Sequence, residues 1–512
     1  MKKLNVIMRL LLSSLVLAIS TPAGSPVVAQ PARAASSVGA AQAGARGATG
    51  APSVAATNAA AQVSERNVRA HMEFLASDAM QGRGSGTQFE LLAGLYIASQ
   101  LRQYGVEPAG DAGVAASAGA AAGQRSFIQT VALTRQAFAD APALTFNAAG
   151  GAERRWVHGK EMLVGRVAAA QLKGALQKLR AGERPAAGAF VLMTQGEGGG
   201  DARQLYSQAA AMGRQGAVAV VVAENAMLRR NWTTMGAKLP ELPLMSGGAA
   251  GANVLILSTD AFKELQAAAD GTQISFGGTL APAQTSYTWN VVGVLPGSGD
   301  AKLSGEAVLL SAHMDHIGVG AGQSGDQIYN GADDDASGVV AVLELARALG
   351  SGARPKRTVY FVLFGSEEKG GHGAQYFLSR PPVALTQMVA NLEFEMIGRP
   401  DPKVAADTLW LTGYERSNLG AELARQGARL VADPHPDQNF FQRSDNYALA
   451  RRGVVAHTVS SFGLHPEYHQ PSDDIAHIDF PHMTRAINSM VAPVHWLVNS
   501  NFTPAWAEGK KP

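Results

Sequence analysis

The stretch from Val308 to Gly338 constrains this chain more than any other, because it joins a strand pattern to a dense set of metal-binding residue types. It reads VLLSAHMDHIGVGAGQSGDQIYNGADDDASG. Its apolar start predicts a buried strand, and His313, Asp315 and His316 follow that strand directly. Three consecutive aspartates come next, after a glycine-rich loop: Asp333, Asp334 and Asp335. A strand that ends in imidazole and carboxylate, followed by a loop that brings carboxylates to a helix start, predicts a metal site at the strand ends of an α/β sheet.

Two further strand-like runs also end in acidic residues. TVYFVLF at residues 358–364 is followed by Glu367 and Glu368, and the run that begins at Met388 leads to Glu395. Strand-like and helix-like runs alternate here, which predicts an α/β fold with a doubly wound, mainly parallel sheet. Because the carboxyl ends of parallel strands meet at one edge of a sheet, we expect these side chains to converge there.

The available residue types narrow the choice of metal. Cysteine is absent from all 512 residues, which excludes thiol catalysis, thiolate metal sites and disulfides. Histidine and carboxylate ligands without thiolate suit hydrolytic zinc. With His469, in the loop after the last strand-like run, the region offers many acids but few histidines, which fits two metal ions better than one. The formal net charge of +2 gives no reason to expect nucleic-acid binding.

Taken singly, these residues fit ordinary structural roles. A lone histidine is more often structural than a ligand, a run of aspartates often caps a helix, and a pair of glutamates usually lies at the surface. Adjacent acids directly after a buried strand, repeated on several strands, have no comparable role in packing. The combination therefore indicates a functional site.

The N-terminus predicts export. Basic residues precede an apolar run from Leu10 to Ile19, and small residues follow it. This pattern is typical of a secretory signal peptide, which we place at residues 1–29. A membrane anchor is the alternative, but the run is shorter than the ~20 residues needed to span a bilayer. We expect a periplasmic or secreted protein with no stable membrane insertion.

Composition suggests the domain organisation, since 512 residues is long for one domain. Residues 30–61 are almost all small or polar and predict a flexible linker. Segment 137–282 alternates β-like runs with helix-like ones, such as Ala168 to Arg180, and has no cluster of histidine and acidic residues. We interpret it as a smaller domain inserted into a discontinuous one formed by residues 62–136 and 283–505. One large sheet is the alternative.

Six motifs occur in order between Val291 and Val498: SAHMDHIG, NGADDDASGVVAVLELAR, FGSEEKGGHG, NLEFEMIGRP, RSDNYALARRGV and HPEYHQPSDD. At these motifs the chain resembles the co-catalytic dizinc exopeptidases related to bacterial leucyl aminopeptidase and glutamate carboxypeptidase II. The earlier stretches FLASDAMQGRGSGT and QLRQYGVEPAGD resemble that family's N-terminal region. The resemblance implies the zinc exopeptidase fold, and the segment 137–282 lies where many members carry a protease-associated domain.

The resemblance also implies two zinc ions per chain and a ligand set for each. One ion would be held by His313, Asp334 and Glu395, and the other by Asp334, Glu368 and His469. Asp334 would be the bridge, because it stands four residues before Gly338, where the bridging aspartate of the family stands.

Three more residues receive roles from the resemblance. Glu367 would be the general base that deprotonates water and passes the proton to the leaving amine. Asp315 would orient His313, and Tyr468 matches a position that stabilises the tetrahedral oxyanion in some members.

The chain also departs from the family pattern. Many members have aspartate where Glu395 stands, and Glu393 is the competing ligand at that position. Asn446 replaces a histidine found in some relatives. We interpret the remaining histidines near the motifs as supporting or structural: His316, His372, His457 and His465.

The ligand set that the resemblance implies favours a zinc aminopeptidase that hydrolyses N-terminal residues from peptides. A carboxypeptidase or dipeptidase of the same fold is the alternative, since Arg399, Arg443 and Arg451 near the motifs could hold a substrate carboxylate. A non-catalytic binding protein is disfavoured, because such relatives lose ligands or the equivalent of Glu367. The preferred side chain, the physiological metal and the oligomeric state stay open.

Overall fold

Two β-sheets organise the described part of the chain. The computed structural model describes residues 62–112, 124–148, 150–180, 182–193, 202–242, 251–320 and 325–512. The predicted signal peptide (1–29) and linker (30–61) lie outside these residues. In the described ranges, every helix is too short or too polar to cross a bilayer.

Within the described residues, the first sheet is built from ten strands. They are, in chain order, β1 (Glu107–Pro108), β2 (Ile128–Ala137), β9 (Glu241–Leu242), β12 (Gln284–Leu295), β13 (Ala307–His313), β16 (Thr358–Phe364), β17 (Met388–Phe394), β18 (Leu409–Leu411), β19 (Leu430–Ala432) and β20 (Val455–Ser460). The order across the sheet is β19-β18-β20-β17-β13-β16-β12-β2-β9, with β1 beside β12.

Parallel pairing is concentrated at the centre of this sheet. Strands β20, β17, β13 and β16 are parallel to their neighbours in that group, as β18 is to β19. Antiparallel pairs join β18 to β20 on one side and β12 to β16 and β2 on the other. The α/β prediction is confirmed, and the sheet is mixed because its flanks are antiparallel.

Helices cover both faces of the first sheet. The described helices are α1 (Glu65–Leu75), α2 (Gln88–Gln103), α3 (Ala202–Arg214), α4 (Ala226–Arg230), α5 (Trp232–Gly236), α6 (Thr259–Ala267), α7 (Ala301–Ser304), α8 (Gly338–Gly350), α9 (His372–Ser379), α10 (Leu419–Arg425), α11 (Asn446–Ala450) and α12 (Phe480–Asn499). On β13, Val308 and Leu310 pack with α1, α2, α8 and α12, whereas Leu309 packs with α9 and α11. Two covered faces explain why the central strands are apolar throughout.

The second sheet has its own hydrophobic clusters. Its strands are β3 (Ala143–Asn147), β4 (Glu153–Val157), β5 (Met162–Arg166), β6 (Gln171–Lys178), β7 (Phe190–Leu192), β8 (Ala219–Ala223), β10 (Asn253–Leu257) and β11 (Gln273–Gly277). A separate hairpin pairs β14 (Gly318–Val319) with β15 (Ile328–Tyr329). The division of the chain into a peptidase domain and an inserted domain at residues 137 and 282 stays a prediction.

The helix-like interpretation of Ala168 to Arg180 is wrong, because this stretch contains strand β6. Leu172 and Leu176 stand four residues apart, and that spacing places two side chains on one face of a strand as well as on one face of a helix. Pairing with β11 and β7 then decides the outcome, since tertiary context routinely overrides helix propensity.

Candidate metal centre

Several side chains of the candidate metal centre lie at the carboxyl ends of three adjacent strands. Strands β17, β13 and β16 are neighbours and parallel, so their carboxyl ends lie side by side. His313 ends β13, Glu395 follows β17 directly, and Glu367 and Glu368 lie in the turn after β16. Because the apolar strands are buried side by side in the sheet, the residues that follow them in the sequence lie together at one edge.

Asp334 lies between two groups of potential ligands. Its Oδ1 is 3.0 Å from His313 Nε2. Its Oδ2 is 3.2 Å from His469 Nε2, which is also 3.3 Å from Glu368 Oε1. One carboxylate thus presents an oxygen to each side, as a bridging ligand must.

The structure brings all five sequence-predicted ligands to this edge: His313, Asp334, Glu368, Glu395 and His469. Ligand atoms of His313, Asp334 and Glu395 lie within 4.8 Å of one another, and so do those of His316, Asp334 and Glu368. The assignment of these residues as ligands stays a prediction.

The competing acids are engaged elsewhere. Glu393 accepts a hydrogen bond from the backbone N–H of Asn446 through Oε2, whereas its Oε1 makes no hydrogen bond in the described residues, and neither ligand group there includes it. Asp335 accepts from the backbone N–H groups of His313, Gly338 and Met396. Asp333 accepts from the N–H of Gly398 at 2.7 Å. These contacts hold the loops together and leave Asp334 as the aspartate of the triplet that lies between the two groups.

Asp315 connects two of the strand ends. Its carbonyl oxygen lies 3.2 Å from His313 Nδ1, whereas its carboxylate lies 3.8 Å from the same nitrogen. The carboxylate accepts from Ser85 Oγ at 2.5 Å and from the backbone N–H of Glu367 at 3.0 Å. Asp315 therefore fixes the turn that carries Glu367 as well as the ring of His313.

A small cavity of about 50 Å³ opens beside the ligands. Acidic side chains line one part of it: Asp334, Glu367, Glu368 and Glu395. Aromatic side chains line another part: Trp410, Phe440, Phe462 and Tyr468. The ring of Tyr468 stacks on that of His469 with their centroids 3.9 Å apart.

The electrostatics show that the centre has an excess of carboxylates. Burial raises the pKa of Glu395 to about 7, although His313 opposes the shift. Burial also raises the pKa of Glu367 well above its usual range, and Asp445 and Glu395 add to the effect. Burial alone would lower the pKa of His469, but the carboxylates of Asp334 and Glu368 outweigh it and raise that pKa to about 10. Bound cations would neutralise this excess of carboxylates.

Buried polar atoms without partners support metal binding. His313 Nε2, both ring nitrogens of His316 and Glu368 Oε1 are buried and make no hydrogen bond within the described ranges. Two of them lie close to a carboxylate oxygen: His313 Nε2 is 3.0 Å from Asp334 Oδ1, and His316 Nδ1 is 2.8 Å from Glu368 Oε1. Ligands of one ion point at a shared centre rather than at each other. Together with a donor set of imidazole and carboxylate, this arrangement fits zinc.

Sequence reasoning missed His316 as a member of the centre and assigned it a supporting or structural role. The available signal was its place directly after Asp315 in the same motif. It also missed the cavity residues Trp410, Phe440 and Phe462, because they come from separate loops and strands that no local pattern connects.

The model of peptidase family M28 matches residues 290–494. A leupeptin-inactivating enzyme of Streptomyces exfoliatus is 32% identical over 116 residues, which cover 22% of this chain and 24% of that enzyme. A probable lipoprotein aminopeptidase (LpqL) of Mycobacterium tuberculosis is 26% identical over 326 residues, 58% of this chain and 59% of the relative. Aminopeptidase YwaD of Bacillus subtilis is 25% identical over 206 residues, 39% of this chain and 43% of the relative. The chain thus spans less than two thirds of the length of each.

Solved structures of low identity are also similar. An aminopeptidase from Aneurinibacillus sp. strain AM-1 covers 87% of this chain and 97% of its own, with a TM-score of 0.47 and 16% identity. BSAP, a zinc aminopeptidase from Bacillus subtilis, covers 88% and 98%, with a TM-score of 0.46 and 19% identity.

Proposed function

We propose that the protein is a zinc aminopeptidase that removes N-terminal residues from peptides, and the match of its residues 290–494 to the model of peptidase family M28 supports this. The observation that carries the proposal is the position of Asp334, whose two oxygens face His313 on one side and His469 on the other. Partly buried Glu367 lines the adjoining cavity, so ligands and a candidate base lie close together.

The protein would hold two zinc ions. His313, Asp334 and Glu395 would bind one, and Asp334, Glu368 and His469 the other. When bound, the ions supply Lewis acidity toward the peptide carbonyl and toward water.

Glu367 moves the proton in this proposal. Its carboxylate takes a proton from the attacking water and delivers it to the amine that leaves. Burial raises its pKa, which brings the carboxyl closer to the neutral pH at which such transfers are most effective. The hydrogen bond from the backbone N–H of Glu367 to the Asp315 carboxylate fixes the turn after β16 and leaves the Glu367 side chain available for proton transfer.

Tyr468 supplies a hydrogen-bond donor on the cavity wall. Burial and the carboxylates of Asp334 and Glu395 raise the pKa of its phenol, so the hydroxyl keeps its proton at neutral pH. From the wall it would donate to the oxyanion that develops on the scissile carbonyl. Stacking on His469 holds its ring in place.

The charge of the cavity favours substrates with a free N-terminus. A protonated α-amino group needs a nearby anion, and Glu367, which lies outside the proposed ligand sets, lines the cavity. A small free volume, about 50 Å³, suits the end of a chain rather than an internal segment.

A carboxypeptidase or dipeptidase is the second candidate, and one observation favours it. Arg443 lines the cavity and lies 4.9 Å from the ring centroid of Phe440, where it could reach a substrate carboxylate. The other two arginines suit this role less well. Arg399 is paired with Glu467 at 2.7 Å, and Arg451 lines a different surface groove.

We also propose that the protein is exported, to the periplasm or the medium, after removal of residues 1–29. The basic start and the apolar run that follows support this, and one relative is named a lipoprotein aminopeptidase. In the same proposal, residues 137–282 are a protease-associated domain inserted into the peptidase domain, since the second sheet arises from strands within that segment.

The test is a substrate panel followed by mass spectrometry of the products. It comprises aminoacyl p-nitroanilides, matched peptides with free or acetylated N-termini, and matched peptides with free or amidated C-termini. We expect cleavage that requires a free N-terminus, stops with a chelator and returns with zinc. Cleavage that requires a free C-terminus would transfer the assignment to the carboxypeptidase branch, and no cleavage by folded, zinc-loaded protein would refute a peptidase.

A further inference from the structure

His316 is a buried histidine whose ring lies at ion-pair distance from Glu368. Its side chain is fully buried, and neither Nδ1 nor Nε2 makes a hydrogen bond among the described residues. Its Nε2 is a buried polar atom without a hydrogen bond, and burial of an unpaired polar group costs several kcal/mol, about 2–7. Buried polar groups in folded proteins are nearly always paired, so this ring calls for a ligand.

The ring nitrogen lies among the ligands of the second zinc position. His316 Nδ1 is 2.8 Å from Glu368 Oε1 and 3.9 Å from Asp334 Oδ2. His469 Nε2 lies 3.3 Å and 3.2 Å from the same two oxygens. Both imidazoles therefore face the same pair of carboxylate oxygens, and their ring centroids are 5.7 Å apart.

The four distances from the imidazole nitrogens to the carboxylate oxygens are close to those around one tetrahedral ion, although His469 lies outside the group of His316, Asp334 and Glu368 whose ligand atoms are all within 4.8 Å of one another in the described residues. Nitrogen and oxygen ligands lie about 2.0–2.2 Å from zinc, so tetrahedral ligand atoms are about 3.3–3.6 Å from each other. The four observed distances between the imidazole nitrogens and the carboxylate oxygens extend from 2.8 to 3.9 Å and bracket that range. The shortest of them, from His316 to Glu368, is also the distance of a close ion pair.

The backbone around His316 holds the ring at this point. Its N–H donates to the carbonyl oxygen of Arg83 at 3.2 Å. On the other side Gly331 lies so close that a Cβ there would fall inside contact distance of the His316 ring. Gly331 also has a φ of 60°, in the left-handed region that favours glycine. The position is thus fixed by the fold rather than by a flexible side chain.

We propose that His316 is a fourth protein ligand of the second zinc position, beside Asp334, Glu368 and His469. This ligand role rests on the proposed zinc centre, and it makes the two zinc positions differ in their number of protein ligands. The second position then has a closed set of four protein ligands, as structural zinc sites have, whereas His313, Asp334 and Glu395 leave an open place at the first. The closed position binds zinc more tightly, and substrate reaches the centre at the open one.

The first test counts imidazoles around zinc in the full-length wild-type chain loaded with one zinc ion per chain. X-ray absorption at the zinc edge should show two imidazole ligands, His316 and His469. One imidazole in the singly loaded protein overturns the proposal. This readout needs no variant, so it stands even where a substitution impairs folding.

The second test measures zinc affinity by competition with a chromophoric chelator. We expect H316Q to weaken the tighter of two binding events about 100-fold or more, since removal of even a supporting residue costs 10–100-fold. E395Q should weaken the other event. H372Q is the matched control, because His372 belongs to a neighbouring motif and, unlike His316 and His469, forms no ion pair with Asp334 or Glu368 among the described residues. This variant should bind zinc as the wild type does.

The outcomes separate this inference from the proposed function. Unchanged affinity and imidazole count in H316Q, with intact peptidase activity, refute the ligand role and leave the function standing. The predicted change in H316Q without any peptide hydrolysis by the wild type refutes the function and leaves the ligand role. A wild-type chain that binds no zinc refutes both.

Discussion

Arg83 is a buried cation that hydrogen-bonds to the loops that carry the candidate ligands. It is fully buried and donates four hydrogen bonds to backbone carbonyl oxygens. The acceptors are Met314 at 3.0 Å, Leu75 at 2.7 Å, Asn330 at 2.7 Å and Gly331 at 2.8 Å. Two of these residues lie in the loop before Asp334, and Met314 follows His313. Arg83 therefore ties both ligand loops to the end of α1.

The substitution R83M keeps a long side chain and removes every donor. Each buried carbonyl oxygen left without a donor costs about 1–3 kcal/mol, so four of them cost at least ~4 kcal/mol. Release of the desolvation penalty of the guanidinium offsets part of this. We expect a net loss of about 3–5 kcal/mol, a large share of the stability of an ordinary domain. Zinc affinity should fall as well, because both ligand loops lose their anchor.

Urea-induced unfolding of the zinc-free protein measures this loss. R83K keeps the charge with fewer donors in a less suitable geometry and should fall between R83M and the wild type. R66M is the matched control, since Arg66 is an exposed arginine in α1, and it should change stability by less than about 0.5 kcal/mol. An R83M protein within ~1 kcal/mol of the wild type would show that these hydrogen bonds do not hold the loops.

Three further predictions concern the helix after the ligand loop, the acid range and the base. G338A should destabilise the protein by about 1–3 kcal/mol, because the new Cβ would overlap the carbonyl oxygen of Phe394. G352A is the control, since a Cβ at Gly352 meets no atom within 4 Å, and thermal unfolding should show almost no change in its stability. Burial lowers the pKa of His457 from 6.5 to about 4. Between these pH values only the unfolded chain binds the proton, so about 3 kcal/mol of the stability present above pH 6.5 should be lost as the pH falls toward 4. Urea unfolding at pH 7 and 4.5 should show a smaller loss of stability for H457Q than for the wild type. An equal loss in both proteins would contradict this assignment. E367Q should lower kcat by about 10²–10⁴-fold with zinc content unchanged, and a kcat near that of the wild type would exclude Glu367 as the base.

The sequence was sufficient to predict the elements that form the centre. Buried parallel strands are apolar on both faces, so TVYFVLF at residues 358–364 predicts a strand, and it coincides with β16. The same reasoning predicts β13 and β17, and the acids that follow each strand mark one edge of the sheet. These signals are strong because a short apolar run rich in β-branched and aromatic residues favours a buried strand over a helix.

Other features of the fold and of the centre could not be predicted from the sequence pattern. The spacing of Leu172 and Leu176 fits a helix and a strand equally well, and only the pairing with β11 decides between them. His316 looked structural because nothing in the motif tells whether a ring faces carboxylates or packing residues. The aromatic wall of the cavity combines residues as distant as Trp410 and Tyr468, and such proximity is a property of the fold rather than of any local run.

The most direct test of the two-zinc centre is an anomalous difference map at the zinc absorption edge from crystals of zinc-loaded protein. We predict two peaks, one on each side of the Asp334 carboxylate. The first should lie beside His313 and Glu395, and the second beside Glu368 and His469. A single peak, or peaks that do not contact Asp334, would contradict the two-zinc centre from which the proposed activity is argued.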